Sequence, residues 1–181
     1  MYHMLLESPN WKVAGVFFRE PTKEHYLKEI SKEAKLAHTS VKTYLKKLEN
    51  EAVIKKIIQK KGTRTFPIYK ANINSGAYKR NKRHYNRNHH EFYGLLSYLG
   101  NKLMPKVMVL FGSYSRGEDT EESDIDIFVE CQKQDIDLTQ YEKALNRKVQ
   151  LHFNKNFKAL PIELKNNIIN GVVLWGYLEA F

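Results

Sequence analysis

Asp124 and Asp126, two residues apart, and the pair Gly112-Ser113, separated from Asp124 by ten residues, are the side chains of this sequence best suited to chemistry. The apolar run Val107 to Phe111 reads as a buried strand that stops abruptly at Gly-Ser. A second strand opens around the aspartates. Because side chains alternate along a strand, Asp124 and Asp126 share one face, and Ile125, Ile127 and Val129 take the other. Two carboxylates that close together are costly to ionise without a cation between them. A hard divalent ion, Mg²⁺ or Mn²⁺, supplies that charge and commonly brings a nucleotide phosphate with it. Gly112 allows close backbone approach to a phosphate, and free N–H groups of a helix starting near Ser113 can receive it. The expected chemistry is metal-assisted nucleotide binding.

The order strand, Gly112-Ser113, a spacer containing Arg116-Gly117, then strand-borne Asp124-Ile125-Asp126 resembles the signature of nucleotidyltransferases with the DNA polymerase β-like fold, their minimal members above all. The resemblance covers roughly residues 91–181. It implies an α/β module on a small mixed sheet, ATP as nucleotide, and transfer of an adenylyl group to an acceptor hydroxyl. Asp124 and Asp126 would hold the metals, Gly112, Ser113 and Gly117 would lie against the triphosphate, and Arg116 would offset transition-state charge. The acidic spacer run Glu118, Asp119, Glu121, Glu122 reads as a solvated loop.

One position departs from the family pattern. Transferring members carry a third carboxylate on a later strand, often just after an Arg-Lys pair; here Arg147-Lys148 is followed by Gln150 at that place. An amide is a weaker metal ligand than a carboxylate and cannot act as a general base. His152, on the same face, is the alternative proton acceptor. Otherwise both are polar residues of a half-exposed strand.

Charge divides the chain in two. Residues 1–90 hold 20 Lys and Arg against 7 Asp and Glu, whereas residues 91–181 hold 10 against 13. The net charge of +10 therefore resides in the first half, which is expected to meet a polyanion. Apolar runs are too short for a membrane span. Met1 to Glu7 lacks the pattern of a secretory signal. The single Cys131 has no partner for an internal disulfide and reads as a small residue at a strand end, consistent with a cytoplasmic protein.

The basic half has the pattern of three helices and a hairpin. Trp11, Val13, Ala14, Phe17 and Phe18 mark a helix stopped by Pro21. Thr22 is a candidate cap for a second helix with Tyr26, Leu27, Ile30 and Ala34 inside, and Thr39 for a third with Val41, Leu45 and Leu48 inside. Two apolar strands then bracket the basic turn from Lys60 to Arg64. Residues 8–72 resemble the winged helix-turn-helix domains of prokaryotic regulators. That resemblance implies double-stranded DNA as partner, with Thr39, Ser40, Lys42, Thr43, Lys46 and Lys47 facing the major groove and Lys60, Lys61 and Arg64 on the wing.

The expected organisation is a two-domain α+β and α/β protein: a winged helix-turn-helix domain (1–73), a connecting helix (74–104) and a minimal nucleotidyltransferase domain (105–181), an arrangement similar to archaeal proteins that join these two modules. The connecting stripe, Tyr85, Phe92, Leu95, Leu96, Leu99 and Leu103, either forms a homodimer or packs on its own module. Lys79 to His84 with Arg87 is either further DNA-contacting surface or a solvated face. His89-His90, being adjacent, reads as exposed imidazoles rather than a metal pair. Two functions follow. One is an enzyme that transfers an adenylyl group from ATP to a protein acceptor, as antitoxins among the minimal nucleotidyltransferases do. The other is a transcriptional regulator whose degenerate transferase domain senses a nucleotide or partner, a reading that Gln150 favours.

Overall fold

The computed structural model describes residues 8–88 and 90–180, with backbone alone for Lys61, His90, Glu91 and Tyr93. Met1 to Glu7, His89 and the side chains of Lys61 and His90 lie outside the described residues, and with them the expectations for a leader and for the His-His pair. The chain divides into two compact units, one ending at Tyr85 and the other starting at Asn86.

In the first unit Ser8 caps helix α1 (Pro9–Arg19) by accepting from the Trp11 N–H, and Pro9 occupies the first turn where its missing N–H costs nothing. The successive residues Val13 to Phe18 are all buried, so the helix is covered around its circumference there. A short strand β1 (Glu24–Tyr26) follows, where the sequence suggested the start of a helix capped by Thr22. Period-two burial wins there: His25 points inward between exposed Glu24 and Tyr26, its ring 5.2 Å from Phe17. Helix α2 (Leu27–Ala34) therefore starts later, with the Tyr26 N–H donating to the Glu29 carboxylate at 2.9 Å. Helix α3 (His38–Asn50) takes Ala37 as its N-cap, so Thr39 sits inside the first turn instead of capping it, and its carbonyl accepts from the Thr43 hydroxyl. Val41, Leu45 and Leu48 form the buried stripe.

Strands β2 (Ile54–Lys61) and β3 (Arg64–Ala71) pair antiparallel from Ile54↔Ala71 to Lys61↔Arg64. The two-residue turn between them is possible because Gly62 takes φ +62°, where a side chain would be strained. β3 lies in the middle of the sheet β1-β3-β2.

Helix α4 (Gly76–Asn88) carries the boundary between the units, and α5 (His90–Leu103) belongs to the second. Strands β4 (Val107–Phe111), β5 (Ile125–Glu130), β6 (Val149–Asn154) and β7 (Val172–Gly176) form a sheet in the order β6-β5-β4-β7, with β5 and β6 parallel and the other pairs antiparallel. Its faces are covered differently. Met108, Leu110, Ile125, Ile127 and Val129 pack with Phe92, Leu95, Leu99 and Leu103, so the α5 stripe is buried in the core of its own unit. Val107, Val109, Phe111 and Phe128 pack with Phe157 and with Ile168 of helix α8 (Ile162–Ile169). Between β4 and β5 lie the short helix α6 (Gly112–Arg116) and the spacer; helix α7 (Thr139–Leu145) precedes β6. No helix among the described residues is long and apolar enough to cross a membrane.

The spacer is not the solvated loop its composition suggested. The Asp119 side chain is fully buried, 3.2 Å from Arg147 Nη2, and its Oδ1 accepts from Asn86 Nδ2 at 2.8 Å. Asn86 also donates to the Tyr114 carbonyl, and Arg147 Nη1 to that of Thr120. A buried ion pair loses about 3–5 kcal/mol when one partner is removed, because the other charge is stranded. Asp119→Ala should accordingly lower the unfolding free energy of the second unit by about that amount, read as a lower urea midpoint followed through Trp175 in a Trp11→Phe background. An unchanged midpoint would show that the pair does not hold the spacer.

Candidate active site

The geometry of the site begins at the end of β4. Phe111 pairs with Asp126 across the antiparallel ladder, so Gly112, the next residue, lies against the Asp126 side chain. Gly112 has φ +73°, and a Cβ there would stand 2.5 Å from Asp126 Oδ2. Only glycine leaves both the backbone conformation and the carboxylate undisturbed. The chain turns at that point into α6, whose first N–H groups have no partner within the helix. Gly117 ends it in the left-handed conformation, and Ser113 accepts from the Glu118 N–H through its carbonyl.

Asp124 immediately precedes β5 and Asp126 is its second residue. Both are half-buried on a strand whose alternate side chains, Ile125 and Ile127, are fully buried. The parallel neighbour β6 completes the face. Asp126 is in register with Gln150 and Phe128 with His152. Gln150 Nε2 donates to Asp124 Oδ2 at 3.4 Å, and His152 Nε2 lies 3.0 Å from Asp126 Oδ1. Phe111 meets the His152 ring edge-on at 5.0 Å, which limits its rotation. Two carboxylates, an amide and an imidazole thus converge from two adjacent strands.

This donor set fits a hard divalent ion. Carboxylate oxygens dominate it, the amide of Gln150 can turn its oxygen inward, and the His152 contact orients one carboxylate as outer partners of metal ligands do. An open cleft of about 450 Å³ adjoins Asp124, lined also by Ser123, Glu142, Lys143, Arg147 and Lys148. Within it the Glu142 carboxyl lies below the usual carboxylate range, chiefly because it accepts from the Val149 N–H and then because Lys148 is beside it.

Arg116 is exposed, its Nε 2.8 Å from Glu118 Oε2. The candidate DNA-contacting residues lie in the first unit. Thr39, Ser40, Lys42, Thr43, Lys46 and Lys47 are all exposed on α3, opposite Val41, Leu45 and Leu48, while Lys60 and Arg64 are exposed at the hairpin tip. The residues that sequence reasoning missed are Asn86, Asp119 and Arg147. Arg147 lies 28 positions from Asp119, so no local spacing announces the pair.

Gly112→Ala should displace the Asp126 carboxylate. Binding of Mn²⁺, followed by its electron paramagnetic resonance signal, is expected to weaken by about tenfold or more, given the ~1–3 kcal/mol of a strained left-handed residue. Undiminished Mn²⁺ affinity in a folded variant would separate the glycine from the site.

Comparison with known proteins agrees with this geometry. Residues 95–178 match the family described as "Polymerase beta, Nucleotidyltransferase". A 66-residue stretch is 46% identical to the "Putative protein adenylyltransferase MJ1379" of Methanocaldococcus jannaschii, covering 32% of this chain. The chain spans 66% of the length of that relative. No solved structure matches it. The strand, the Gly-Ser turn and the paired aspartates all fall inside the matched range, and residues 95–178 carry a polymerase β-type nucleotidyltransferase domain.

Proposed function

We propose that the second unit binds ATP with Mg²⁺ or Mn²⁺ and transfers its adenylyl group to a hydroxyl of a protein acceptor. The observation that carries this reading is the single face shared by Asp124, Asp126, Gln150 and His152, beside a turn that only Gly112 can make. A nucleotidyltransferase domain implies a nucleoside triphosphate substrate. Adenylyl as the transferred group and a protein as acceptor rest on the printed name of the M. jannaschii relative.

On this reading Asp124 and Asp126 hold the metal, which when bound neutralises the phosphate oxygens and the charge that develops during transfer. Gly112 and Ser113 present backbone N–H groups to the phosphates, and Gly117 closes the turn without a side chain in the way. Arg116, exposed and paired with the neighbouring Glu118, can swing to a phosphate. The acceptor oxygen attacks the α-phosphorus, the bond to the β-phosphate oxygen breaks, and pyrophosphate leaves. The acceptor proton needs a base, which Gln150 cannot be. His152 supplies an imidazole nitrogen at that face, held against Asp126 and Phe111.

A second reading draws on Gln150. With an amide where transferring relatives place a carboxylate, the domain binds nucleotide and acts as a sensor for a DNA-bound regulator. The first unit would play the same part in both readings. A helix pair α2–α3 followed by a hairpin, with hydroxyls and lysines along the outside of α3 and cations at the hairpin tip, supports a winged helix on duplex DNA.

Incubation of the full chain with α-labelled ATP, metal and cellular protein should label an acceptor. Asp124→Asn with Asp126→Asn should abolish labelling and metal-dependent ATP binding together. Tight ATP binding without any transfer, converted to transfer by Gln150→Glu, would favour the sensor; ATP-Mg²⁺ affinity unchanged in the double variant would remove both readings.

DNA binding is tested separately. Affinity of the full chain for duplex DNA should fall steeply with salt, with a log–log slope of about −4 to −7, since each phosphate contact releases roughly one counterion. Arg64→Ala should reduce that slope by about one and weaken all sequences alike, whereas changes at Thr39, Ser40 or Thr43 should alter sequence preference. No binding at low salt would leave the basic surface to another partner.

A further inference from the structure

Glu20, His25 and Glu33 form a second cluster of ligating side chains, wholly within the first unit. Glu20 caps the C-terminal end of α1, His25 is the central residue of β1, and Glu33 lies near the end of α2. One ligand atom from each, a ring nitrogen and two carboxylate oxygens, lies within 4.8 Å of the others.

His25 gives the cluster its direction. Its side chain is completely buried, fixed edge-on against Phe17. Nε2 lies 3.4 Å from the Glu20 carbonyl oxygen, a contact that assigns the ring proton to Nε2. Nδ1 then carries a lone pair. It has no hydrogen-bond partner, and it faces Glu20 Oε2 at 3.9 Å. Two acceptors aimed at each other beside a buried ring repel, and an electrophile between them turns the repulsion into attraction.

We infer that Glu20, His25 and Glu33 bind a borderline divalent cation, of which Zn²⁺ is the type, joining α1, β1 and α2. One imidazole with two carboxylates is a nitrogen-and-oxygen set suited to Zn²⁺ rather than to Mg²⁺. Zinc–ligand bonds of about 2.0–2.2 Å place tetrahedral donors roughly 3.3–3.5 Å apart, so the carboxylates must close in slightly. They are free to do so: the Glu20 and Glu33 side chains are each 35% exposed while the imidazole stays fixed. The existing neighbours are cations as well. Lys23 Nζ stands 3.0 Å from Glu20, and Arg19 Nη2 3.4 Å from Glu33. Both side chains reach solvent and can release the carboxylates at little cost, since exposed ion pairs are weak. A fourth position remains for water or for a donor from a partner.

The test uses the full chain carrying Asp124→Asn and Asp126→Asn, stripped of metal with a chelator and titrated with Zn²⁺ by calorimetry, with Co²⁺ absorption as a second readout. Saturable binding of about one equivalent and a rise in Tm are expected. Glu20→Gln and Glu33→Gln should each weaken it about tenfold or more. Both are surface side chains, so these variants stay informative even if His25→Gln fails to fold. In ¹⁵N spectra, the His25 Nδ1 resonance should move on zinc addition. Absence of saturable binding, glutamine variants that bind as tightly as the parent chain, or an unmoved Nδ1 resonance at saturation would overturn the site.

Discussion

Contact between Gly112 and Asp126 is the constraint on which the rest of the second unit depends. The antiparallel pairing of β4 with β5 brings the end of one strand beside the charged residue of the next, and only a hydrogen atom fits between them. The packing of both strands holds that contact in place. β4 is buried throughout, so its register is set by the core on both sides of the sheet. β5 puts Ile125, Ile127 and Val129 into one core cluster, which leaves Asp124 and Asp126 no freedom to slip by a residue. The carboxylates are held on their face by the packing of the apolar residues opposite them.

The spacer poses a second problem, because α6 and the loop after it must return the chain from Gly112 to Asp124 without burying unsatisfied charge. Asp119 and Arg147 solve it together. Arg147 stands just before β6, and its contacts with Asp119 and the Thr120 carbonyl link the loop to the strand that carries Gln150 and His152. Asn86 joins the same group from the helical side. Buried ion pairs contribute little net stability but penalise every arrangement that separates them. Here that penalty acts on the relative placement of the Gly-Ser turn and the third strand.

Much of this site was legible in the sequence because it is written in local spacing. The stop of an apolar run at Gly112, the interval to Asp124 and the i, i+2 aspartates each follow from the geometry of a strand or a turn. The position of Gln150 was legible too, through the Arg147-Lys148 pair that precedes it. What was not legible depends on distant partners. Asp119 looks like its acidic neighbours until Arg147 is placed beside it. Residues 24–26 look like a first helical turn until β3 offers them a ladder and Phe17 a place for the His25 ring. Thr39 is a good cap by type, yet Ala37 takes that role because Lys35, in the left-handed conformation, ends α2 and redirects the chain. At residues 24–26 tertiary contact outweighed a local capping preference of about a kilocalorie per mole.

Gln150 bears on how the two units share the work. A third carboxylate would add negative charge to a half already holding 13 acidic against 10 basic residues, and the nucleotide proposed for that half is itself an anion. With an amide in its place, Asp124 and Asp126 are the charges a metal must balance, and His152 stands against one of them. On the proposed reading the site would depend on the metal for binding and on an imidazole for proton transfer, with no carboxylate left over to act as base. The first half would need no such intermediary for the proposed DNA, since it holds 20 basic residues against 7 acidic ones. On the proposed readings phosphate would be met by bare cations in one unit and by a metal between carboxylates in the other, so salt should weaken the first interaction far more than the second.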